Sequence, residues 1–300
     1  MGTRVIAVVG ATATGKSGLA TELARALGGE VVNADSMQLY QGMDIGTAKE
    51  PEAAWRGVPH HLLDIWPVTQ TANVADYAKL ARAAIDEIIA RGRVPILAGG
   101  SGLYVRAALD DLDFPGTDPG IRARLEDELG RAGPAALHAR LARLDPVAAG
   151  AILPGNGRRI VRALEVIEIS GRPFTATMPD FRQNRPAVQI GLTVPRPELD
   201  RRIAARVDRM WQAGLEAEVR GLAGRGLRDG KTASRALGYQ QLLRYLDGEW
   251  TLDEARLETI KATRRFARRQ ESWFRRDPRV HWLDATSQTL LPDALRLACP

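Results

Sequence analysis

The chain has 300 residues, 45% of them hydrophobic and 26% charged, with a formal net charge of +6 and a mean hydropathy of -0.21. That length supplies one large core or two modest ones, and the longest apolar runs are far too short to span a bilayer. A single cysteine, Cys299, excludes a disulfide framework and a Cys-rich zinc site.

The apolar run Val5, Ile6, Ala7, Val8, Val9 predicts a buried strand, and residues 18–27 predict a helix. Met1 leads directly into that strand, leaving no room for a signal or transit peptide, so a cytoplasmic protein is expected. Between strand and helix, Gly10, Ala11, Thr12, Ala13, Thr14, Gly15, Lys16 and Ser17 match the phosphate-loop pattern G-x-x-x-x-G-K-[ST] throughout. Gly10 and Gly15 permit backbone conformations in which successive N–H groups converge on phosphate oxygens. Lys16 adds a point charge for the terminal phosphate, and the Ser17 hydroxyl is suited to Mg²⁺. The loop predicts binding of a di- or triphosphate at a helix N-terminus.

Residues 30–34 predict a second strand, ending at Asp35 and Ser36. A carboxylate there can ligate Mg²⁺, act as a general base or cap the next turn. His60 and His61 are adjacent on an extended segment and so point to opposite sides, without ligand-spaced partners; both are read as structural. Tyr77, Leu80, Ala84 and Ile88 give 73–90 a helical apolar face, with Asn73 as its N-cap. A further strand over 94–98 ends in Gly99-Gly100. Such alternation predicts an α/β fold: a P-loop NTPase-like parallel sheet covered on both faces, with ligands beyond the carboxyl ends of its strands.

A breaker-rich hinge over 113–119 ends in Asp118-Pro119, a helix-start signal. Helical faces over 121–129, 135–144 and 159–170 follow, without a convincing strand. They predict a small all-helical insertion over 115–184 within a core built from 1–114 and 185–300. The sheet resumes over 188–194. A long helix then places Leu199, Ile203, Val207, Trp211 and Leu215 on one face and Arg202, Arg206 and Arg209 on a neighbouring one.

Charge is concentrated late: residues 201–300 hold 20 Lys and Arg against 13 Asp and Glu. Lys261, Arg264, Arg265, Arg268 and Arg269 fall at helical spacing, extended by Arg275 and Arg276, with Trp273 and Phe274 at the end of the stripe. No acidic residue lies between Glu258 and Glu271 to neutralise it. Arginines beside aromatics predict a polyanionic partner, RNA in particular. Trp55, Trp66, Trp211, Trp250 and Trp282 are read as packing residues.

From end to end the chain resembles the tRNA dimethylallyltransferase (isopentenyl-tRNA transferase) family of bacterial type. The resemblance rests on 10–17, on Asn-Ala-Asp-Ser-Met-Gln-Leu-Tyr-Gln-Gly-Met-Asp-Ile-Gly-Thr-Ala-Lys (33–49), on Pro-His-His-Leu-Leu-Asp-Ile (59–65) and on Gly-Gly-Ser-Gly-Leu-Tyr (99–104). It continues through Arg-Ala-Leu-Glu-Val (162–166), Ser-Arg-Ala-Leu-Gly-Tyr (234–239) and Ala-Arg-Arg-Gln-Glu-Ser-Trp-Phe-Arg (267–275). It implies transfer of a dimethylallyl group from its diphosphate to N6 of the adenosine 3′-adjacent to the anticodon, with Mg²⁺ and release of diphosphate. It implies Asp35 as the general base, Arg206 at the diphosphate and Ser101 in the catalytic set. It further implies tRNA contacts from Asp35, Ser36, Met37 and Gln38, from Ser101 and Arg122, and from Arg158, Arg159, Ile160, Val161 and Arg162. Arg235, Gly238 and Tyr239 are implied too, with Arg268, Arg269, Gln270, Trp273 and Arg275. Ala11 replaces the family's proline and Ser101 its threonine, the second keeping a hydroxyl. A monomer without a membrane partner is expected. A P-loop kinase would account for 1–112 but not for the stripe or the insertion, which a branch prenylating free AMP or ATP would not need either.

Overall fold

The structure, a computed structural model, describes residues 4–112, 114–174 and 181–299. The start of the expected leaderless N-terminus and Asp113 in the expected hinge lie outside these. The described residues form a six-stranded, wholly parallel sheet in the order β3-β2-β4-β1-β5-β6. β1 (Val5–Gly10) is central, β4 (Val94–Gly99) and β5 (Ala187–Thr193) flank it, and β2 (Gly29–Asn33), β3 (His60–His61) and β6 (Val280–Asp284) complete the sheet. In register, Val8 lies opposite Ala98 on one side and Ile190 on the other. Because every strand runs the same way, Gly10, Asn33, Gly99 and Thr193 finish at one edge.

Side chains alternate across the sheet with period two. Ile6 and Val8, with Val31, Ile96 and Ile190, pack against Leu19 and Leu23 of α1 (Lys16–Leu27) and Ala294 of α11 (Leu290–Ala298). The helix α2 (Val74–Ala90) buries Tyr77, Ala81, Ile85 and Ile88 and packs on β2 and β4. Each aliphatic chain wholly withdrawn from water contributes about 1.5–3 kcal/mol, so the β1 run accounts for much of the local stability. Asn73 caps α2 by accepting from the Ala75 N–H at 2.8 Å.

The expected helix through Leu215 is two helices. α7 (Arg196–Gln212) stops before Gly214, which at φ 93° occupies the left-handed region, and α8 (Leu215–Ala223) starts afresh. Met210 rather than the half-buried Trp211 completes the buried face of α7. The short α9 (Tyr239–Leu246) leads to the long α10 (Leu252–Phe274), opened by a Thr251–Glu254 capping box. β3 is only two residues long and β6 buries only Val280, and neither was expected from the sequence. His61 Nε2 meets Glu30 at 2.7 Å, and His60 stacks on Trp55 with ring centres 4.6 Å apart.

By compactness the chain divides after Leu109 and before Gln183, so that Asp110–Arg182 forms a second unit. This second unit is helical: α4 (Pro119–Leu144), α5 (Pro146–Ala151) and α6 (Gly157–Ser170). α4 is broken at Gly133, which has φ 76° and precedes Pro134. Its core joins Leu125, Leu137 and Leu141 to Ile160, Val161 and Leu164. The buried carboxylate of Glu165 accepts from Arg122, Arg162 and the Asp118 N–H. Burial alone would raise its pKa, but the two guanidinium groups outweigh that and hold it below the ordinary value.

Candidate active site

The phosphate loop sits where β1 ends and α1 begins, and α3 (Gly102–Leu109) starts nearby from the end of β4. Gly15, at φ 92°, turns the loop into the first turn of α1. Thr14 Oγ1 and Lys16 Nζ both donate to the Ala11 carbonyl, at 2.9 and 2.6 Å. The Thr12 N–H donates at 2.9 Å to Gln270 Oε1, and Gln270 Nε2 donates at 2.9 Å to the Gly100 carbonyl. One buried amide of α10 thus ties the phosphate loop to the end of β4. Ala11 and Thr14 are buried and serve the loop's shape, whereas Gly15, Ser17 and Gly18 are exposed at the helix N-terminus.

Asp35 is set by Asn33. The buried Asn33 side chain accepts from the Asp35 N–H at 2.8 Å and donates to the carbonyls of Asp35 and Leu62, both at 3.0 Å. Asp35 Oδ1 accepts from the Met37 N–H at 3.0 Å, so one oxygen does cap the following turn. Its other oxygen carries no hydrogen bond among the described residues, and the residue lines a cavity. Ser101 Oγ accepts from the Ser36 N–H at 3.2 Å, placing the ends of β2 and β4 side by side.

That cavity, of about 510 Å³, brings Thr12, Asp35, Ser101, Arg206, Arg235 and Arg269 together with Tyr104, Phe266 and Trp273. Ser36, Met37 and Gln270 also line it. Gly102 packs flush against Trp273: a Cβ there would lie 2.1 Å from the indole Cδ1 and Nε1. A second cavity of about 620 Å³ is lined by Gly15, Lys16, Ser17, Glu50, Arg206 and Arg209. Arg206 and Met210 border both. Burial first, then Arg206, lowers the Lys16 pKa to about 8, against the upward pull of Asp35. Burial lowers the Arg206 pKa as well, while Asp35 again raises it and Arg209 lowers it. The Asp35 charge is therefore felt by both cations.

Sequence reasoning missed Glu50 and Met210 on these walls, and it grouped Arg209 with Arg206 on one helix face without assigning it to the site. Burial raises the Glu50 pKa. Among the described residues no three His, Cys, Asp or Glu side chains cluster to hold a metal. That donor set suits only an ion bound chiefly through phosphate oxygens and water, for which the exposed Ser17 hydroxyl could serve as a protein ligand.

Of the expected stripe, Lys261 is paired with Glu258 at 2.7 Å and Arg275 with Glu271 at 2.8 Å, while Arg264 donates to the Asp200 carbonyl at 3.2 Å. Arg265, Arg268 and Arg269 remain exposed without an ion pair among the described residues. The Arg275 guanidinium also lies over the Trp282 ring, 5.1 Å from its centre. Other expected RNA contacts are placed differently. Gly238 and Tyr239 are buried, the Tyr239 hydroxyl donating to Glu218 at 2.5 Å. Gln38 Nε2 donates to the Thr47 carbonyl at 3.2 Å, and Gln38 lines neither cavity. In the helical unit Arg158 and Arg159 are exposed, Ile160 and Val161 are core, and Arg122 and Arg162 are committed to Glu165. Among the described residues no helix is long and apolar enough to cross a membrane.

Residues 38–277 match the family described as IPP transferase. The chain is 70% identical to a tRNA dimethylallyltransferase of Thermobifida fusca, over 98% of this chain and 94% of that one. It is also 70% identical to one of Streptomyces coelicolor, over 96% and 93%. Among solved structures it is similar to the full-length tRNA isopentenylpyrophosphate transferase of Bacillus halodurans, at 42% identity and a TM-score of 0.72 over 99% of this chain and 94% of that one. A eukaryotic dimethylallyltransferase described as acting on tRNA gives a TM-score of 0.84 at 26% identity, over 98% of this chain and 77% of that one.

Proposed function

The chain belongs to the IPP transferase family, and on that premise we propose that it transfers a dimethylallyl group from dimethylallyl diphosphate to N6 of the adenosine 3′-adjacent to the tRNA anticodon. The observation that carries the proposal is the pair of cavities meeting at Arg206 and Met210. One is cationic and floored by the phosphate loop; the other is aromatic and contains Asp35. A prenyl diphosphate and a nucleobase have complementary needs: fixed positive charge for the leaving group, and an apolar, aromatic wall for the allyl group and the base.

In this reading the loop N–H groups, Lys16 and Arg206 hold the diphosphate. The adenine N6 attacks the allylic carbon, a C–N bond forms as the C–O bond to diphosphate breaks, and the N6 proton passes to the free oxygen of Asp35. Positive charge fixed at the diphosphate is worth more as the C–O bond lengthens, because negative charge accumulates there. The Ser17 hydroxyl would hold Mg²⁺, which would supply further neutralisation of the leaving group. Ser101 secures Ser36 beside Asp35. Arg235, Arg269 and Trp273 border the acceptor side, and Arg265 and Arg268 offer exposed charge to the RNA backbone.

Labelled dimethylallyl diphosphate offered with tRNA, AMP or ATP tests this directly. Label should appear in tRNA alone. Transfer to the free nucleotide would move the chain to the nucleotide-prenylating branch, and phosphoryl transfer in place of prenylation would make it a kinase.

A further inference from the structure

The segment between Met43 and Glu50 forms part of the wall of both cavities: Gly46 and Thr47 line the first, Ile45, Ala48 and Glu50 the second. Its backbone is gripped from the far side of the sequence. The Glu218 carboxylate on α8 accepts from three consecutive N–H groups, Asp44 at 3.1 Å, Ile45 at 2.8 Å and Gly46 at 3.2 Å. The same carboxylate accepts the Tyr239 hydroxyl at 2.5 Å. The Tyr239 ring leaves no space at Gly46, where a Cβ would lie 2.4 Å from its Cε2. Burial, and next the negative charge of Glu218, push the Tyr239 pKa upward, so the phenol stays a donor. On its other side the segment presents the Thr47 carbonyl, which accepts from Arg206 Nη2 at 3.1 Å and from Gln38 Nε2 at 3.2 Å.

We propose that Glu218, with Tyr239, is a positioning residue for the transfer reaction. It fixes the 44–47 backbone so that the Thr47 carbonyl holds the Arg206 guanidinium at the junction of the two cavities. The proposal rests on the functional reading above and adds to it a residue that touches neither substrate. The physical case is one of connectivity. Among the described residues Arg206 is the one arginine that borders both cavities, and its hydrogen bond to the Thr47 carbonyl runs to this segment. A carboxylate collecting three N–H bonds and a phenol is a strong, charge-assisted anchor. Losing it frees a wall on which the guanidinium depends, and a misplacement of about 1 Å at a reacting centre can cost on the order of a hundredfold. Lys49 grips the segment as well, through the Tyr40 carbonyl at 3.0 Å and through Asp44 and Asp64, both at 2.6 Å. The Glu218 contribution is therefore local ordering rather than attachment.

The test uses the full chain, with Glu218→Gln, Tyr239→Phe, Arg206→Ala and the Glu218→Gln/Arg206→Ala double variant. Glutamine keeps the volume but exchanges one acceptor oxygen for a donor, so the N–H groups can no longer all be satisfied. Amide exchange at 44–46 should quicken in Glu218→Gln. Affinity for inorganic diphosphate, with Mg²⁺, and kcat/KM for the prenyl donor should each fall roughly tenfold to a hundredfold, while tRNA affinity holds within about twofold. Tyr239→Phe, which keeps the ring against Gly46, should show a smaller loss in the same direction. In the Arg206→Ala background Glu218→Gln should cost less than about threefold, because both act through one guanidinium. Equal losses in both backgrounds, or unchanged exchange at 44–46, overturn the proposal. A wild-type chain that binds diphosphate yet transfers no label to tRNA overturns the functional reading instead, and the diphosphate cycle still decides the role of Glu218.

Discussion

Lys16 offers a sharp test because its electrostatic situation is unusual for a lysine. Burial and the neighbouring Arg206 bring its pKa down to about 8, with Asp35 pulling the other way. If, as proposed, Lys16 meets the diphosphate as an ammonium, affinity should be full below this value and lost as pH rises through it. With a midpoint near 8, the protonated fraction falls from about nine tenths at pH 7 to about one tenth at pH 9, so the dissociation constant should rise about tenfold over that span. The assay is calorimetric titration of inorganic diphosphate at fixed Mg²⁺ from pH 7 to 9.5, on wild type and Lys16→Met. Methionine cannot titrate, so subtracting its profile removes the ligand's own ionisation. Arg206→Ala should weaken binding overall and move the midpoint upward, because it removes a charge that opposes protonation. If wild type and Lys16→Met have the same pH slope, Lys16 does not titrate in this range and the electrostatic account of the loop fails.

Asp35→Asn keeps an acceptor for the Met37 N–H and so preserves the local turn; kcat should still drop about 10²- to 10⁴-fold, with tRNA affinity measured by filter binding little changed. Normal kcat with weak tRNA binding would reassign Asp35 to recognition. Replacing Arg265, Arg268 and Arg269 together with glutamine should flatten the dependence of tRNA affinity on log[salt] by roughly 0.7 to 0.9 per lost contact, leaving diphosphate titrations unchanged. An unaltered slope would reduce the stripe to a solvated surface. Gly102→Ala should destabilise by about 1–3 kcal/mol through overpacking against Trp273 in urea melts, and should cost much less in a Trp273→Ala background; an equal cost in both backgrounds would place the clash elsewhere.

What the sequence made legible is what local rules control. The phosphate loop needs its glycines and lysine in one short run, so both its position and its chemistry could be read, as could the Asn73 cap and the strands Val5–Gly10 and Val94–Gly99. The helix break at Gly214 was obscured because Leu215 happens to continue the apolar spacing of Ile203 and Val207. The two-residue strand at His60–His61 is made by pairing with β2, not by its own composition. The arginine stripe looked uniform in one dimension, yet Arg264 is spent on the Asp200 carbonyl of α7. Tyr239 lies in a family-specific motif and invites an RNA role, but its ring is buried and its hydroxyl is committed to Glu218. The grip of Glu218 on 44–46 spans well over a hundred residues of chain, and no periodicity reports such a contact.

The Gln270 bridge bears on when, during synthesis, the enzyme becomes competent. Thr12 leaves the ribosome 258 positions ahead of Gln270. Until α10 has emerged and docked, the Thr12 N–H lacks its acceptor and the end of β4 lacks its tie to the phosphate loop. β1 likewise waits for β5 to cover its second edge. Contacts of such high sequence separation form late, so a nascent or prematurely terminated chain carries the complete phosphate-loop sequence without a complete loop. A chain cut short before α10 therefore has the phosphate-loop sequence but not the Gln270 amide that ties Thr12 to Gly100.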